Sequence, residues 1–470
     1  MKRTLLDLSK LLLLGLMSSF CVFAAHAAKV ITLEQAISLA QQNDPWIHGN
    51  KLRQSAMDSR SIAVGTLPDP KVSISMMNLP TDTWDFDQEG MTQFNVGVSQ
   101  TFPRGDTLEI KESQLKVAST KFPLLREDRK AKLKTIVSEL WLDAYLAQRT
   151  ITLIEKDWNL FEQMAEVAKA SYSNAVGKTR QHDVIRAQLE ILQLEDRLTV
   201  EKQKLETSIA RLNEWLHIYD EHNLGKVFDF DTQHLEFVVS KEIPIIRLYN
   251  PKLLTISHYS RNSLANELVN HPALLVIDVK QKVQEKEVLL AKQQYKPHWG
   301  VSGSYGYRER MSSGESRADL FSVGVTFDLP LFTENRQDKQ MSASIAETEA
   351  VKTEKLLLTK KMIASIEKEL KQLKRLSDRQ ALYEDQLLKQ TYDQAEASLT
   401  AYTNDDGDFA EVVRARIAEL NTRISALRID VDVLKAVARI NYFLTSSKTR
   451  TSTVGNTTNL FSNLEKSNAN

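Results

Sequence analysis

Two kinds of hydrophobic pattern alternate along this chain of 470 residues. Four short segments place an apolar residue at every second position, which is the repeat of a β-strand. Four long stretches instead place apolar residues three and four apart, which is the repeat of an α-helical coiled coil. The pattern therefore predicts a few short strands combined with very long helices.

Small or polar residues fill the alternate positions of the four predicted strands. They are mostly Ser, Thr, Gly and Asn rather than Lys and Glu, which favours the wet interior of a membrane barrel. Aromatic residues such as Trp299, Tyr305 and Tyr307 would then lie at the membrane interfaces. An ordinary amphipathic soluble sheet is the alternative. The apolar positions are Val72, Ile74, Met76; Phe94, Val96, Val98; Trp299, Val301, Tyr305, Tyr307; and Phe321, Val323, Val325, Phe327, Leu329.

Four strands are too few to close a barrel, and an open edge in lipid leaves backbone groups without hydrogen bonds. If these strands enter a membrane, several chains must therefore share one barrel. Three chains with four strands each would supply a 12-stranded barrel. The polar loops between paired strands, Pro80 to Gly90 and Arg308 to Ala318, would face the outside of the cell.

The predicted helical stretches are too long for a compact domain. At 1.5 Å per residue, the helical path from Thr107 to Ala175 is about 100 Å, allowing for a kink at Pro123. That is about three times the roughly 30 Å of a bilayer's hydrocarbon core. A soluble coiled-coil scaffold would explain the helices but not the strand pairs. The apolar seams run from Leu133 to Tyr172, Val184 to Leu212, Leu388 to Tyr402 and Val413 to Ala438.

One sequence unit occurs twice, at an offset near 227 residues. Asn43-Asp44-Pro45 recurs as Asn270-His271-Pro272, and Val96-Gly97-Val98 recurs as Val323-Gly324-Val325. Several matches in the same order at nearly constant spacing indicate an internal two-fold repeat. Each copy is predicted to contain one helix (Leu33 to Val64, then Leu264 to Gln294), two strands and two long helical stretches.

The N-terminus resembles an export signal. Lys2 and Arg3 precede an apolar run, and Ala25-His26-Ala27 places small residues where a signal peptidase reads them, so cleavage is expected after Ala27. A membrane-anchoring helix and lipidation at Cys21 are the alternatives. The predicted divisions are 1–27 (signal peptide), 28–216 (first repeat), 217–262 (inter-repeat equatorial segment), 263–444 (second repeat) and 445–470 (flexible C-terminal tail).

Composition narrows the classes of function. The chain has 61 basic and 61 acidic residues, and this neutrality argues against nucleic acid as a partner. Without the leader it has no cysteine, which excludes disulfides, thiol catalysis and cysteine-ligated zinc. No nucleophile–base pairing, phosphate loop or metal-ligand spacing is present, so we expect neither an enzyme nor a cofactor or metal site.

Two short motifs end the long helical stretches of the two copies. Tyr172-Ser-Asn-Ala-Val-Gly177 leads to Asp183-Val-Ile-Arg-Ala187, and Tyr402-Thr-Asn-Asp-Asp-Gly407 leads to Glu411-Val-Val-Arg-Ala415. Together with the duplicated strand–helix plan, they resemble the outer-membrane factor (TolC-like) family from Thr32 to about Leu444.

This resemblance implies a mixed α/β membrane protein of the bacterial outer membrane. The implied homotrimer has a 12-stranded β-barrel in the lipid, continued by a long α-helical coiled-coil barrel in the periplasm. The implied partners are a periplasmic adaptor protein and an inner-membrane pump, for which we expect the resistance-nodulation-division type.

The second helix tip is acidic and is a candidate gate. The resemblance gives Glu411 as the match to the acidic rings that close the periplasmic mouth in relatives. Arg414 departs from relatives that carry a second acid there, and it could instead pair with a neighbouring carboxylate. A solvated turn with ordinary charges is the alternative. The candidate gate is Asp405, Asp406, Asp408, Glu411 and Arg414, and the candidate adaptor contacts are Gly177, Lys178, Thr179, Arg180 and Gly407.

The expected function is that of a passive outer-membrane duct in a tripartite efflux system. The segments Leu67 to Pro70 and Val98 to Gly105 look most like the heavy-metal branch, so cations such as copper or silver are one expected substrate class. Met76, Met77 and Met91 are either soft ligands for such ions or lipid-facing and loop residues. The alternatives are a duct for type I protein secretion and a periplasmic coiled-coil adaptor or scaffold without a barrel.

Overall fold

The computed structural model describes residues 29–173, 181–216, 237–254, 260–404 and 407–447. The predicted signal peptide, the first helix tip, part of the inter-repeat segment and the tail beyond residue 447 lie outside these ranges. The described residues form long helices, one four-stranded sheet and one pair of very short strands.

The four predicted strands are confirmed and form one antiparallel sheet. They are β2 (Lys71–Met77), β3 (Gln93–Phe102), β5 (Trp299–Tyr307) and β6 (Leu320–Phe327). Their order in the sheet is β2-β3-β5-β6, so the two strand pairs of the two sequence copies meet between β3 and β5. Phe102 ends β3 immediately before Pro103, whereas β6 ends at Phe327, three residues before Pro330.

The first predicted helix of each copy is in fact two helices. Residues 33–64 form α1 (Leu33–Gln42) and α2 (Pro45–Val64), and the second copy forms α6 (Arg261–Leu268) and α7 (Pro272–Gln293). The single-helix predictions were wrong because a proline has no N–H and its ring disfavours helical geometry in the residue before it. Both prolines instead occupy the first helical position, where no N–H is needed.

Different residues cap α2 and α7 at equivalent positions of the two copies. The carboxylate of Asp44 accepts a hydrogen bond from Trp46 N at 3.1 Å and also binds Arg129 Nε at 2.7 Å. His271 Nδ1 accepts a hydrogen bond from Ala273 N at 3.2 Å, and its Nε2 lies 3.1 Å from Tyr442 O. The imidazole is completely buried and therefore caps α7 as a neutral group.

The long helices extend away from the sheet as two hairpins. The first copy contributes α3 (Thr107–Ser119), α4 (Lys121–Ser173) and α5 (Gln181–Leu216). The path breaks at Thr120, so Pro123 lies in the first turn of α4 instead of kinking a continuous helix as predicted. The second copy contributes α8 (Gln337–Leu382), α9 (Leu388–Thr403) and α10 (Phe409–Phe443).

A five-residue π-helical turn, Tyr383–Leu387, joins α8 to α9 without interrupting the rod. The N–H of Leu388 donates to the carbonyl of Tyr383, five residues back rather than four. A π turn holds one residue more than a regular α-helical turn. The sequence offset between the copies is 227 at Pro103 and Pro330 but 230 at Tyr172 and Tyr402, so the second copy is longer in this stretch.

A second small sheet joins the start of the described chain to the inter-repeat segment. Strands β1 (Lys29–Ile31) and β4 (Phe237–Val239) pair in parallel, and neither was predicted. The indole of Trp141 on α4 donates to Ile31 O at 3.1 Å beneath them. Strand β1 leads into α1 through a capping box between Thr32 and Gln35. This packing holds both segments against the middle of the rod.

The buried position of His271 predicts an acid-sensitive step in stability. Burial lowers the pKa of this imidazole below 6.5, against the opposing effect of Asp128. In the unfolded chain the pKa of a histidine is near 6.5, so just below that pH the imidazole binds a proton in the unfolded chain but not in the folded one. The stabilisation is complete above about pH 6.5 and declines as the pH falls below it.

We expect His271→Asn to flatten this acid loss, because asparagine caps a helix without titrating. The measurement is the thermal unfolding midpoint of the detergent-solubilised protein between pH 8 and pH 5. An equally steep decline in both proteins would contradict the assignment.

Candidate channel surfaces and helix tips

The four-stranded sheet has one apolar and one polar face, and both are open in the isolated chain. The apolar face is strongly exposed: 67% for Val72, 68% for Ile74 and 75% for Phe321. Cross-strand pairs such as Val72 with Val98 and Tyr305 with Phe321 place the apolar residues of all four strands on this side. A soluble sheet buries such a face, so the exposed area indicates a contact that the single chain does not supply.

The opposite face is built from small polar side chains. Ser73, Gly97, Ser304 and Ser322 form one row across all four strands. Gly97 leaves room for the hydroxyl of its cross-strand neighbour: a Cβ on Gly97 would lie 2.8 Å from Ser73 Oγ, which would have to rotate away. The small and polar residues that the sequence pattern predicted at alternate positions therefore lie together on one face of the sheet.

The sheet is open at both edges, because β2 pairs only with β3 and β6 only with β5 among the described strands. The helices repeat this arrangement in two further layers. Next to the sheet, α2 packs on α3, α3 on α7 and α7 on α8; farther away, α5 packs on α4, α4 on α10 and α10 on α9. Each layer thus ends in an element of the first copy on one side and of the second copy on the other.

The helices at these outer edges carry exposed apolar side chains. On α5, Ile185, Leu189 and Leu192 are spaced four and three apart and are all at least half exposed. Leu356 and Leu357 on α8 and Tyr392 on α9 are similarly exposed. A three-four stripe is the seam of a helix pair, and among the described helices none covers the stripe on α5.

The second helix tip holds part of the candidate gate. Asp408 caps α10, its carboxylate accepting a hydrogen bond from Ala410 N at 3.2 Å. Glu411 and Arg414 are exposed in the first two turns, and Arg414 Nε donates to Ala410 O at 3.2 Å. The structure therefore brings three of the five predicted gate residues together at one helix N-terminus. The other two, Asp405 and Asp406, lie outside the described residues.

Gly407 makes the reversal before α10 sterically possible. A Cβ at this position would lie 2.7 Å from Tyr402 N and 2.9 Å from Ala401 C, both of them backbone atoms. Only glycine lets the chain approach itself so closely. The remaining predicted adaptor contacts, Gly177, Lys178, Thr179 and Arg180, lie outside the described residues.

The two hairpins pack together near the tip around an apolar cluster. Phe409, Val412 and Val413 of α10 contact Met164 and Ala168 of α4. The ring of Phe409 also meets Tyr402 edge-on, with the ring centroids 5.6 Å apart. This cluster fixes the start of α10, and with it Asp408 and Glu411, against the first hairpin.

Ion pairs connect α10 to both of its neighbours along the rod. Arg416 binds Glu396 of α9 at 2.6 Å and Glu419 at 3.0 Å. Arg439, nearer the sheet, binds Glu369 of α8 and Glu139 of α4, each at 2.7 Å. Burial alone would lower the pKa of Arg416, but its hydrogen bonds with the two carboxylates outweigh that effect and raise it. Sequence reasoning missed these residues, although Arg416, Glu419 and Arg423 repeat the three-four spacing of a seam.

The three methionines considered as metal ligands are not brought together. Met76 and Met77 are consecutive in β2, so they point to opposite faces of the sheet. Met77 Sδ lies 3.8 Å from Gln93 Nε2 on the polar side, and Met91 is exposed in the following loop. Within the described ranges, no group of three His, Cys, Asp or Glu side chains could hold a metal ion.

Among the residues that the structure describes, no helix combines the length and the apolar character needed to span a bilayer.

Comparisons with known proteins give matches in structure but not in sequence. No family model matches the chain, and no curated protein matches it significantly. The solved structure of the channel-forming protein CusC matches 88% of this chain and 92% of its own, with a TM-score of 0.68 and 13% identity. The outer membrane protein VceC of Vibrio cholerae matches 88% and 96%, with a TM-score of 0.66 and 12% identity.

The open state of the MtrE outer membrane channel of Neisseria gonorrhoeae matches 88% of both chains, with a TM-score of 0.65 and 12% identity. The chain has the fold of the outer-membrane factor channels.

The buried pair of Arg416 and Glu419 predicts a large stability cost when the cation is removed. Both side chains are about one-tenth exposed, so Arg416→Met would leave Glu419 buried with only the more distant Arg423 at 3.6 Å. We expect a loss of about 3 kcal/mol in the free energy of unfolding, measured by denaturant titration in detergent.

Lys352→Met is the matched control, because Lys352 and its partner Glu349 are half exposed or more. This change should cost less than about 1 kcal/mol. Equal effects of the two substitutions would show that the pair of Arg416 and Glu419 has no special weight.

Proposed function

We propose that this chain is one third of a trimeric outer-membrane duct of the outer-membrane factor (TolC-like) family, which exports molecules passively and is not an enzyme. The observation that carries the proposal is the sheet: it is apolar on one face, polar on the other and unpaired at both edges. In lipid, backbone groups must find hydrogen-bond partners within protein, so such a sheet is stable only when its edges close.

Three copies arranged around an axis satisfy this requirement. The edge strand β6 of one copy would pair with β2 of the next, giving 12 strands. The same rotation would bring α8 and α9 of one copy against α2 and α5 of the next, which would cover the exposed seams on those helices. A periplasmic scaffold without a barrel would leave the apolar face of the sheet in water.

The proposed duct belongs to a tripartite efflux system. A periplasmic adaptor would contact the helix tips at Gly177, Lys178, Thr179, Arg180 and Gly407, and an inner-membrane pump of the resistance-nodulation-division type would load the duct. Heavy-metal cations are one proposed substrate class. Deletion of the gene, followed by growth tests with copper, silver and drugs, would separate these substrates. Protein export by a type I secretion system would instead be recognised by loss of a secreted protein.

Adjacent residues on β6 provide a direct test of the barrel. Val323 and Ser322 are both exposed in the isolated chain and lie on opposite faces of the sheet. In a C21S background, where the new thiol is the only one, a bimane label at V323C should be quenched by nitroxide-labelled lipid. The same label at S322C should be quenched by aqueous iodide instead.

The trimer is tested on the same preparations by native mass spectrometry in detergent, which should give the mass of three chains. A water-soluble monomer, or labels at the two positions with the same response to lipid, would rule out the proposed duct.

The candidate gate is tested by neutralising acids at the second tip. Carboxylates gathered at a narrow mouth attract cations that bridge and obstruct it. Asp408→Asn combined with Glu411→Gln removes these charges while keeping a side chain that can cap α10. We expect a rise of about twofold or more in single-channel conductance in planar bilayers and a weaker preference for cations.

Glu349→Gln serves as the control, because this exposed acid lies on α8 far from the tip and should leave conductance unchanged. If neutralising Asp408 and Glu411 also leaves conductance unchanged, the acidic tip is not the gate.

A further inference from the structure

The loop between β2 and β3, Pro80 to Gly90, lies on the apolar side of the sheet. Phe86 in this loop stacks on Tyr307 with the ring centroids 6.4 Å apart and the planes 12° from parallel. Tyr307 pairs with Phe94, which pairs with Met76, so this ring belongs to the apolar face. The loop therefore bends over the outside of the sheet rather than over its polar face.

The loop has a defined local structure. Gln88 Nε2 donates to Asp82 Oδ2 at 3.1 Å across it, and Trp84 N donates to Pro80 O at 3.2 Å. Asp85 N donates to Thr83 Oγ1 at 3.2 Å. These hydrogen bonds within the loop replace the strand pairing that a loop lacks and stabilise its shape.

Two arginines of the neighbouring β5–β6 loop bind the C-terminal end of the β2–β3 loop. Arg317 Nη1 donates to Glu89 O at 2.7 Å, and Arg308 Nη1 donates to Gly90 O at 3.3 Å. Arg308 also donates to Ala318 O at 2.8 Å through Nε. These hydrogen bonds to main-chain carbonyls would have to break before the β2–β3 loop could swing across to the polar side.

Trp84, near the middle of the β2–β3 loop, has an unusual backbone conformation. Its side chain is 67% exposed, and its φ of +64° lies in the left-handed region that bulky residues rarely occupy. Residues held in such a conformation cluster at functional sites. Tryptophan combines a large apolar ring with one N–H donor, which suits the boundary between lipid and water.

We propose that the β2–β3 loop is a membrane-surface anchor that places Trp84 among the lipid headgroups of the outer leaflet. The proposal rests on the proposed function, because the loop can reach lipid only if the apolar face beside it also meets lipid. Four carboxylates, Asp82, Asp85, Asp87 and Glu89, share the loop with Trp84. Because removing these carboxylates from water is costly, the loop cannot enter the hydrocarbon core, and the ring of Trp84 lies in the headgroup region.

The test compares the depth of position 84 with two reference positions. A bimane label at W84C, in the full-length C21S protein, is reconstituted into phosphatidylcholine vesicles that carry a nitroxide either on the headgroup or at the middle of the acyl chain. We expect headgroup nitroxide to quench this label at least about twofold more than acyl-chain nitroxide does. A label at S313C, exposed in the β5–β6 loop, should respond mainly to iodide.

The aromatic stack supplies a second, independent variant. Removing the ring by Phe86→Ala should free the loop and shift the label at position 84 from lipid quenching to iodide quenching. Phe86→Tyr, which keeps a ring over Tyr307, should leave the lipid quenching in place. A label at V323C reports separately on the sheet, so loss of lipid contact there would reject the proposed duct itself.

Three outcomes overturn the anchor while leaving the duct intact. One is a label at position 84 that responds only to iodide, as at position 313. Another is a label shielded from both quenchers, which would place the loop across the mouth or against a protein. The third is lipid quenching that Phe86→Ala does not change.

Discussion

The proposed architecture depends on one constraint: every backbone N–H and C=O of a sheet in lipid needs a hydrogen-bond partner within protein. Among the described strands, none pairs with the outer side of β2 or of β6, so the sheet is open at two edges. The helical layers end at the same two sides, with exposed apolar side chains on α5, α8 and α9. Closing the sheet and covering the seams are therefore parts of the same assembly problem.

Helix α10 is the element on which the two hairpins meet. Its apolar side chains join α4 near the tip through Phe409 and Val413, while Arg416 and Arg439 form ion pairs with carboxylates of the adjacent helices. Apolar seams hold helices together but permit sliding by a turn, because one three-four stripe resembles the next. Buried charge pairs match at only one register, so they can set the axial alignment that the seams leave open.

The sequence predicted the elements that leave a local pattern and missed those that depend on distant contacts. The strands were correctly placed because alternation over a few residues, as at Val323 and Val325, is the direct imprint of a two-faced sheet. The helix breaks before Pro45 and Pro272 were missed because the apolar pattern continues across them. The strand β1 and its partner β4 were missed because three residues give no periodicity, and because β1 is held by a contact with Trp141, 110 positions away.

The functional surfaces divide in the same way. Asp408, Glu411 and Gly407 could be placed together because they are close in sequence and flank one reversal. The stack of Phe86 on Tyr307 joins residues on different strand pairs and leaves no trace in local spacing. The ion pair of Arg439 with Glu139 likewise spans 300 positions, and only the folded packing of α10 on α4 brings the two together.

The π turn at Tyr383–Leu387 bears on how the two halves of this protein differ in length. One residue inserted in a regular α-helix rotates everything beyond it by about 100° and would carry an inward-facing side chain toward solvent. A π turn accommodates such an insertion within a single turn of the helix. Beyond it, Ala395 is still completely buried. The π turn thus accommodates one of the three extra residues of the second copy without turning the buried side of α9 toward solvent.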